Sequence, residues 1–118
     1  MKVIEVKRTG GPEVLEVAER EIPTPGSGEV LVRLDAIGVN FIDVYHRTGL
    51  YPLPLPFVPG MEGAGRVEAL GPDVTEFSSG DRVAYAMNIG SYAEYEVLPA
   101  ARLIRVPDDV KLPVAAAA

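Results

Sequence analysis

Apolar and polar residues alternate in short runs along most of the chain, the two-residue period of half-buried strands. The pattern is clearest from Glu29 to Ile37, where Val30, Val32, Leu34 and Ala36 share one face and Arg33 and Asp35 take the other. Met1 to Arg8 and Val14 to Glu21 read as two earlier strands separated by the turn Thr9-Gly10-Gly11-Pro12. In the first of these, Val3 lies on one face and Ile4 and Val6 on the other. Gly65 to Leu70, Arg82 to Ala86, Ser91 to Leu98 and Leu103 to Val106 complete the set. Along Ser91–Leu98, Ala93, Tyr95 and Val97 share a side opposite Glu94 and Glu96.

Between Gly38 and Tyr51 the period changes to that of a short helix. Asn40 sits where an N-cap belongs, and Asp43, three residues on, imitates the second arm of a capping box. Asp43 and Arg47 stand at i, i+4, placed to pair on the helix surface. Phe41, Val44 and Tyr45 share one helical face, which has two readings. They are core, or Asn40 and Tyr45 project into a cleft, where an amide and a phenol donate hydrogen bonds to an oxygen that gains negative charge. Tyr51 is a second phenol donor, or a loop tyrosine packed on prolines. The loop after it carries prolines at 52, 54, 56 and 59, which make it extended and rigid. Its interleaved Leu53, Leu55, Phe57 and Val58 call for burial. His46, the only histidine, reads as an exposed helix-surface residue.

Short strands, close spacing and an unusual load of turn formers, 12 glycines and 11 prolines in 118 residues, point to one mainly β domain, a barrel or sandwich with a single small helix after the third strand. The net charge of −6, with no basic cluster beyond Lys7-Arg8, argues against nucleic acid as a partner. The chain has no cysteine, which removes disulfides, thiolate catalysis and Cys-based zinc sites together, and which is compatible with the cytoplasm. No apolar run is long enough for a membrane span, and the first residues are too charged for a signal peptide. Gly60-x-x-Gly63-x-Gly65 does not have dinucleotide-fingerprint spacing, and no βαβ unit surrounds it, so a nicotinamide cofactor's main binding domain is not expected within these residues. Pro113 to Ala118 reads as the first turn of a helix with no cap and no amphipathic face. The expected division is therefore a domain over 1–112 and the start of a leading helix over 113–118, the front part of a longer protein.

Several segments together resemble the N-terminal domain of the medium-chain dehydrogenase/reductase superfamily, specifically its quinone oxidoreductase (zeta-crystallin-like) branch. They are Gly10-Gly11-Pro12-Glu13-Val14-Leu15, Gly38-Val39-Asn40-Phe41-Ile42-Asp43, Arg47-Thr48-Gly49-Leu50-Tyr51-Pro52, Pro59-Gly60-Met61-Glu62-Gly63-Ala64-Gly65, Gly80-Asp81-Arg82-Val83 and Gly90-Ser91-Tyr92-Ala93-Glu94-Tyr95. The resemblance implies a GroES-like, partly open β-barrel, followed in full-length relatives by a Rossmann domain that this chain does not contain. Zinc-dependent relatives place a cysteine ligand where this chain has Asn40 and a histidine ligand where it has Met61; amide and thioether are poor Zn²⁺ ligands, so the zinc-free branch is implied and no metal site is expected. A residual pair, Glu62 and His46, is the one alternative.

The same resemblance implies reduction of a quinone, or another small electrophilic substrate, by NADPH. Asn40, Tyr45 and Tyr51 are then the candidate catalytic residues, and Asn40, Phe41, Ile42, Asp43 and Tyr45 the candidate cofactor contacts. Two alternatives stand beside it: a 2-enoyl thioester reductase domain in which Tyr51 is the proton donor, and a non-catalytic GroES-like module that oligomerises or binds a partner. The chain by itself is expected to be inactive, and its unpaired edges to invite homodimerisation.

Overall fold

The computed structural model describes residues 1–118. Seven strands and two α-helices follow in the order β1 (Lys2–Val6), β2 (Leu15–Glu19), β3 (Glu29–Ile37), α1 (Phe41–Thr48), β4 (Glu62–Leu70), β5 (Arg82–Ala86), β6 (Tyr95–Pro99), β7 (Ile104–Arg105) and α2 (Leu112–Ala117). β1 and β2 form an antiparallel pair, while β6-β3-β4-β5-β7 form a five-stranded antiparallel sheet. The two sheets meet along β1: Ile4 N–H donates to the Tyr92 carbonyl at 2.8 Å, and Val6 exchanges backbone bonds with Phe57. The result is the mainly β domain with one principal helix after the third strand that the alternation predicts, in the partly open barrel form that the resemblance implies.

Val30, Val32, Val67, Val83, Tyr85 and Leu98 converge from β3, β4, β5 and β6 on the main core. β3 behaves as its period demands: Val32 is fully buried while Arg33 and Asp35 are exposed. A second cluster joins Val6, Val14 and Phe57, with Leu53 packed against it; this holds the proline loop to β1. Leu55, expected inside with its neighbours, is exposed.

Three expectations change. In β1 the buried side chains are Val3, Glu5 and Val6, because the strand is covered on both faces; Arg20 neutralises Glu5 at 2.9 Å. In β6 the inward side is that of Glu96 and Leu98, not that of Tyr95 and Val97. The tail is not faceless: Leu112 and Ala116, at i, i+4 on α2, pack with Ala64 and Val106 on the outer side of the sheet. The 112/113 boundary falls one residue inside this helix. The outer edges carry exposed apolar residues, Val17 on β2 and Ile104 on β7. No helix is long and apolar enough to cross a membrane.

Candidate functional site

β3 ends at Ile37, and Gly38-Val39-Asn40 turns the chain into α1. Gly38 leaves room at that turn for the Glu62 side chain, since a Cβ there would stand 1.9 Å from Glu62 Oε1 and the carboxylate would have to move. The Glu62 side chain lies across the bare backbone and accepts a hydrogen bond from Asn40 Nδ2 at 2.9 Å. Asn40 is extended, with φ −130° and ψ 161°, as an N-cap should be. Its backbone N–H donates to Asp43 Oδ2 at 2.9 Å, the return arm of the capping box. At the other end Gly49, with φ 87°, closes the helix in the left-handed conformation that glycine adopts without steric cost.

α1 is turned inside out relative to the amphipathic rule. Its buried residues are Asp43 and His46, 4% and 7% exposed, while Phe41 is 82% exposed. The reading of Phe41, Val44 and Tyr45 as a core face is therefore corrected: Phe41 and Tyr45 are exposed and Val44 is half-buried. The predicted Asp43–Arg47 surface pair does not form. Asp43 points inward, where Tyr92 Oη donates to its Oδ2 at 2.8 Å, and Arg47 Nε donates to the Gly10 carbonyl at 3.2 Å, tying α1 to the Gly10-Gly11 turn. Burial, reinforced by the Asp43 hydrogen bond and charge, raises the Tyr92 phenol well above the usual tyrosine range, so it stays a donor. His46, expected on the surface, packs edge-on against the Phe57 ring with centroids 6.5 Å apart. Asp43 Oδ1 and His46 Nδ1 have no hydrogen-bond partner within the protein.

What α1 turns outward is an aromatic lip. The rings of Tyr45 and Tyr51 meet edge to face with centroids 5.5 Å apart, set by a backbone bond from Tyr51 N–H to the Tyr45 carbonyl at 3.2 Å. Both rings are exposed. Val39, Asn40, Phe41 and Val44 line an adjoining hollow of about 310 Å³. The structure thus brings Tyr45 and Tyr51 into contact and puts Phe41 one turn before Tyr45 on α1, while Asn40 lines the hollow and is held by Glu62. Ile42 is half-buried, and Asp43 lies beneath the lip as its support. No group of three or more His, Asp or Glu side chains stands close enough to share a metal ion, and Glu62 and His46 are engaged elsewhere, by Asn40 and Phe57.

Two supporting residues were not legible as such. Glu62 was visible only as a metal-ligand candidate, because its contact with Asn40 spans 22 residues and depends on the β3–β4 register. Tyr92 reaches Asp43 across 49 residues. The glycine before the helix was the available signal for a side chain crossing there.

The lip sits on a mainly β, partly open barrel whose one principal helix follows the third strand. Residues 26–108 match the family described as the alcohol dehydrogenase GroES-like domain, and the chain belongs to that family. It is 52% identical over 118 residues to a quinone oxidoreductase of Pseudomonas aeruginosa, covering 98% of this chain and 36% of that protein. It is 42% identical over 113 residues to a 2-haloacrylate reductase of Burkholderia, covering 91% of this chain and 34% of that protein. The Escherichia coli quinone oxidoreductase complexed with NADPH superposes with a TM-score of 0.96 at 40% identity, over 99% of this chain and 36% of that one. The resemblance to the quinone oxidoreductase branch is confirmed, and the chain spans about a third of the length of these relatives.

Proposed function

We propose that this domain forms the substrate-side wall of an NADPH-dependent quinone oxidoreductase, working against a nicotinamide-binding domain of the kind its relatives' greater length accommodates. The observation that carries the reading is the lip itself: Tyr45 on a helix that buries its carboxylate and its histidine instead, with Asn40 at its N-cap and Tyr51 in the loop after it, all three exposed. The lip suits the nicotinamide end of NADPH and a flat quinone. Neither the Tyr45 nor the Tyr51 hydroxyl has a partner within the protein, and Asn40 Nδ2 carries a second hydrogen beyond the one given to Glu62. The exposed faces of Phe41 and the two tyrosines give apolar surface to planar rings.

NADPH, when bound, supplies the hydride that reduces the quinone. The residues of this chain bind and orient. Asn40, with its amide plane set by Glu62, donates to a carbonyl oxygen that gains negative charge as the quinone is reduced. Tyr45 and Tyr51 donate from the same rim and exclude water with their rings. A reduced quinone is stable as an anion, so these donors position the ring and need not transfer a proton during the hydride step. Asp43, Tyr92 and Arg47 keep α1 in place beneath them.

The test is a chimera in which residues 1–118 replace the corresponding segment of the Pseudomonas aeruginosa relative. NADPH oxidation with 1,4-naphthoquinone within tenfold of the parent supports the proposal. A folded chimera that reduces a crotonyl thioester but not the quinone transfers the reading to enoyl reduction, with Tyr51 as acid. A folded chimera inert to both removes the enzymatic reading.

A further inference from the structure

One polar cluster inside the barrel is not used by the lip. Glu96 on β6 is 6% exposed and stands opposite Val32 in the sheet register. Its Oε2 accepts hydrogen bonds from Tyr85 Oη and, at 3.3 Å, from Ser91 Oγ, and the two hydroxyls contact one another at 2.7 Å. Its Oε1 accepts from Asn88 Nδ2 at 2.9 Å. The donors come from β5 and from the 87–91 loop, so this one carboxylate joins β5, β6 and the loop between them.

That loop is in turn fastened to the segment carrying Glu62. Asn88 N–H donates to the Met61 carbonyl at 3.3 Å, and the Gly90 and Ser91 N–H groups both donate to the Gly60 carbonyl, at 2.9 and 3.3 Å. Gly60 has φ +101° and a Cβ there would meet Tyr92 at 2.6 Å, so the segment has little freedom to move elsewhere. Met61 leads directly to Glu62, which holds the Asn40 amide. Glu96 and Asn40 are thus joined by a short series of hydrogen bonds and one peptide link.

We propose that Glu96 is a positioning residue for the Asn40–Glu62 corner, its ionised carboxylate holding the 87–91 loop against Gly60–Met61 more firmly than its neutral acid does. The functional consequence rests on the reading of that corner as part of the nicotinamide–quinone site. The physical reason is the strength of the Asn88 bond, since a charge-assisted hydrogen bond is roughly twice as strong as a neutral one. Protonation can be absorbed at Oε2 because the Tyr85 and Ser91 hydroxyls rotate from donor to acceptor. Asn88 then faces a neutral carbonyl oxygen at Oε1.

The surroundings leave the carboxyl free to respond. β3 faces it with Val32 and its apolar neighbours, and β5 with Tyr85. The nearest cations, the Met1 amine and Arg20, border a hollow that Glu96 also lines, but they are occupied, the amine by the Arg20 carbonyl at 2.6 Å and the guanidinium by Glu5. No cation pairs with Glu96. Burial accordingly pushes its carboxyl up to about 7, against the pull of the Tyr85, Asn88 and Ser91 donors.

The experiment is an NMR titration of the ¹³C,¹⁵N-labelled chain from acid through neutral to mildly alkaline pH, followed at the backbone amides of Met61 and Gly90, at the Asn40 side-chain amide and at the Glu96 carboxyl carbon. In the wild type the three amide resonances move together with a midpoint near pH 7, and in Glu96→Gln they are static over the same range. In Asn88→Ala the Glu96 carboxyl carbon still titrates, while Met61 and Asn40 no longer follow it, which keeps the test decisive if the glutamine variant does not fold. Resonances static in the wild type, an equal titration in Glu96→Gln, or an undiminished Asn40 response in Asn88→Ala would each overturn the proposal. None of these readouts depends on turnover, so an inactive chimera would strike the functional reading and not this one.

Discussion

The central sheet and helix α1 obey opposite rules. On β3 the apolar side chains Val30 and Val32 are buried and the charged Arg33 and Asp35 face solvent. On α1, one turn of chain later, a carboxylate and an imidazole are buried and a phenylalanine and a tyrosine are displayed. The sheet arrangement needs no further explanation, because it is what burial of apolar surface produces. The helix arrangement costs stability on both faces: Asn40 N–H and Tyr92 Oη satisfy Asp43 Oδ2, but Asp43 Oδ1 and His46 Nδ1 stay unpartnered, and the outward rings of Phe41 and Tyr45 meet solvent. Where a local element departs from the rule its neighbours follow, the departure is the place to test for another purpose.

The strongest way to break this contrast is to remove the buried anchor. Asp43→Ala strands the Tyr92 hydroxyl and the Asn40 N–H together, and at about 1–3 kcal/mol for each unsatisfied buried group the expected loss is roughly 3–4 kcal/mol by urea denaturation. A loss under about 1 kcal/mol would mean that α1 is held by something other than its inward polar face.

Next in size is the outward donor. In the chimera, Asn40→Ala is expected to lower kcat/KM for naphthoquinone by about 10²-fold, the usual cost of losing a donor to a developing oxyanion. The accompanying change in stability is only about 1 kcal/mol, that of a weakened N-cap. An equal loss in both quantities would make Asn40 a cap and nothing more.

The barrel interior gives a pH signature that sharpens the comparison between a satisfied and a merely tolerated buried carboxyl. The ordinary Glu96 value is 4.5 and the folded one about 7, so between these limits the native state keeps a proton the unfolded chain has lost. This contribution to stability is fully present below pH 4.5, falls as the pH rises through the window, and is flat above about 7. The expected fall is on the order of 3 kcal/mol, measured by denaturant midpoints across that range, and Glu96→Gln should abolish it.

Smaller effects concern the rest of the lip. Tyr51→Phe in the chimera should leave quinone reduction within about tenfold of the unmodified chimera, because orienting one ring is shared with Tyr45 and Asn40. A larger loss, with a crotonyl thioester as the better substrate, would assign Tyr51 a proton-donor role. Phe41→Ser should alter folding stability by no more than about 0.5 kcal/mol, since the side chain is almost wholly exposed. A marked destabilisation would show that the ring is packed after all.

Much of this was legible in the chain, for identifiable reasons. The two-residue alternation of Glu29–Ile37 and the Gly/Pro turns suffice for a mainly β domain, because strand period and turn chemistry are local, whereas the choice of barrel over sandwich came from the resemblance. Asn40 was readable as helix punctuation because capping, too, is local. The orientation of α1 was not readable: Phe41, Val44 and Tyr45 make a plausible core stripe until one knows that Tyr92, 49 residues from Asp43, claims the opposite face. Glu96 was misleading in the same way. Its alternation with Tyr95 and Val97 divides the strand into two faces without saying which is inward, and only Tyr85, Asn88 and Ser91, brought in by β5 and its loop, make the inward position tolerable. Both misses are polar residues buried by partners distant along the chain, which no window of sequence contains.

The account depends above all on the lip being a contact surface for the reacting rings. The most direct measurement is a set of nuclear Overhauser contacts in the chimera loaded with NADPH and a non-reducible quinone analogue. The account predicts contacts from the analogue's ring protons to the aromatic protons of Tyr45 and Tyr51, weakened when either tyrosine is replaced. Contacts confined to other faces of the domain, with both tyrosines silent in a ligand-saturated chimera, would contradict it.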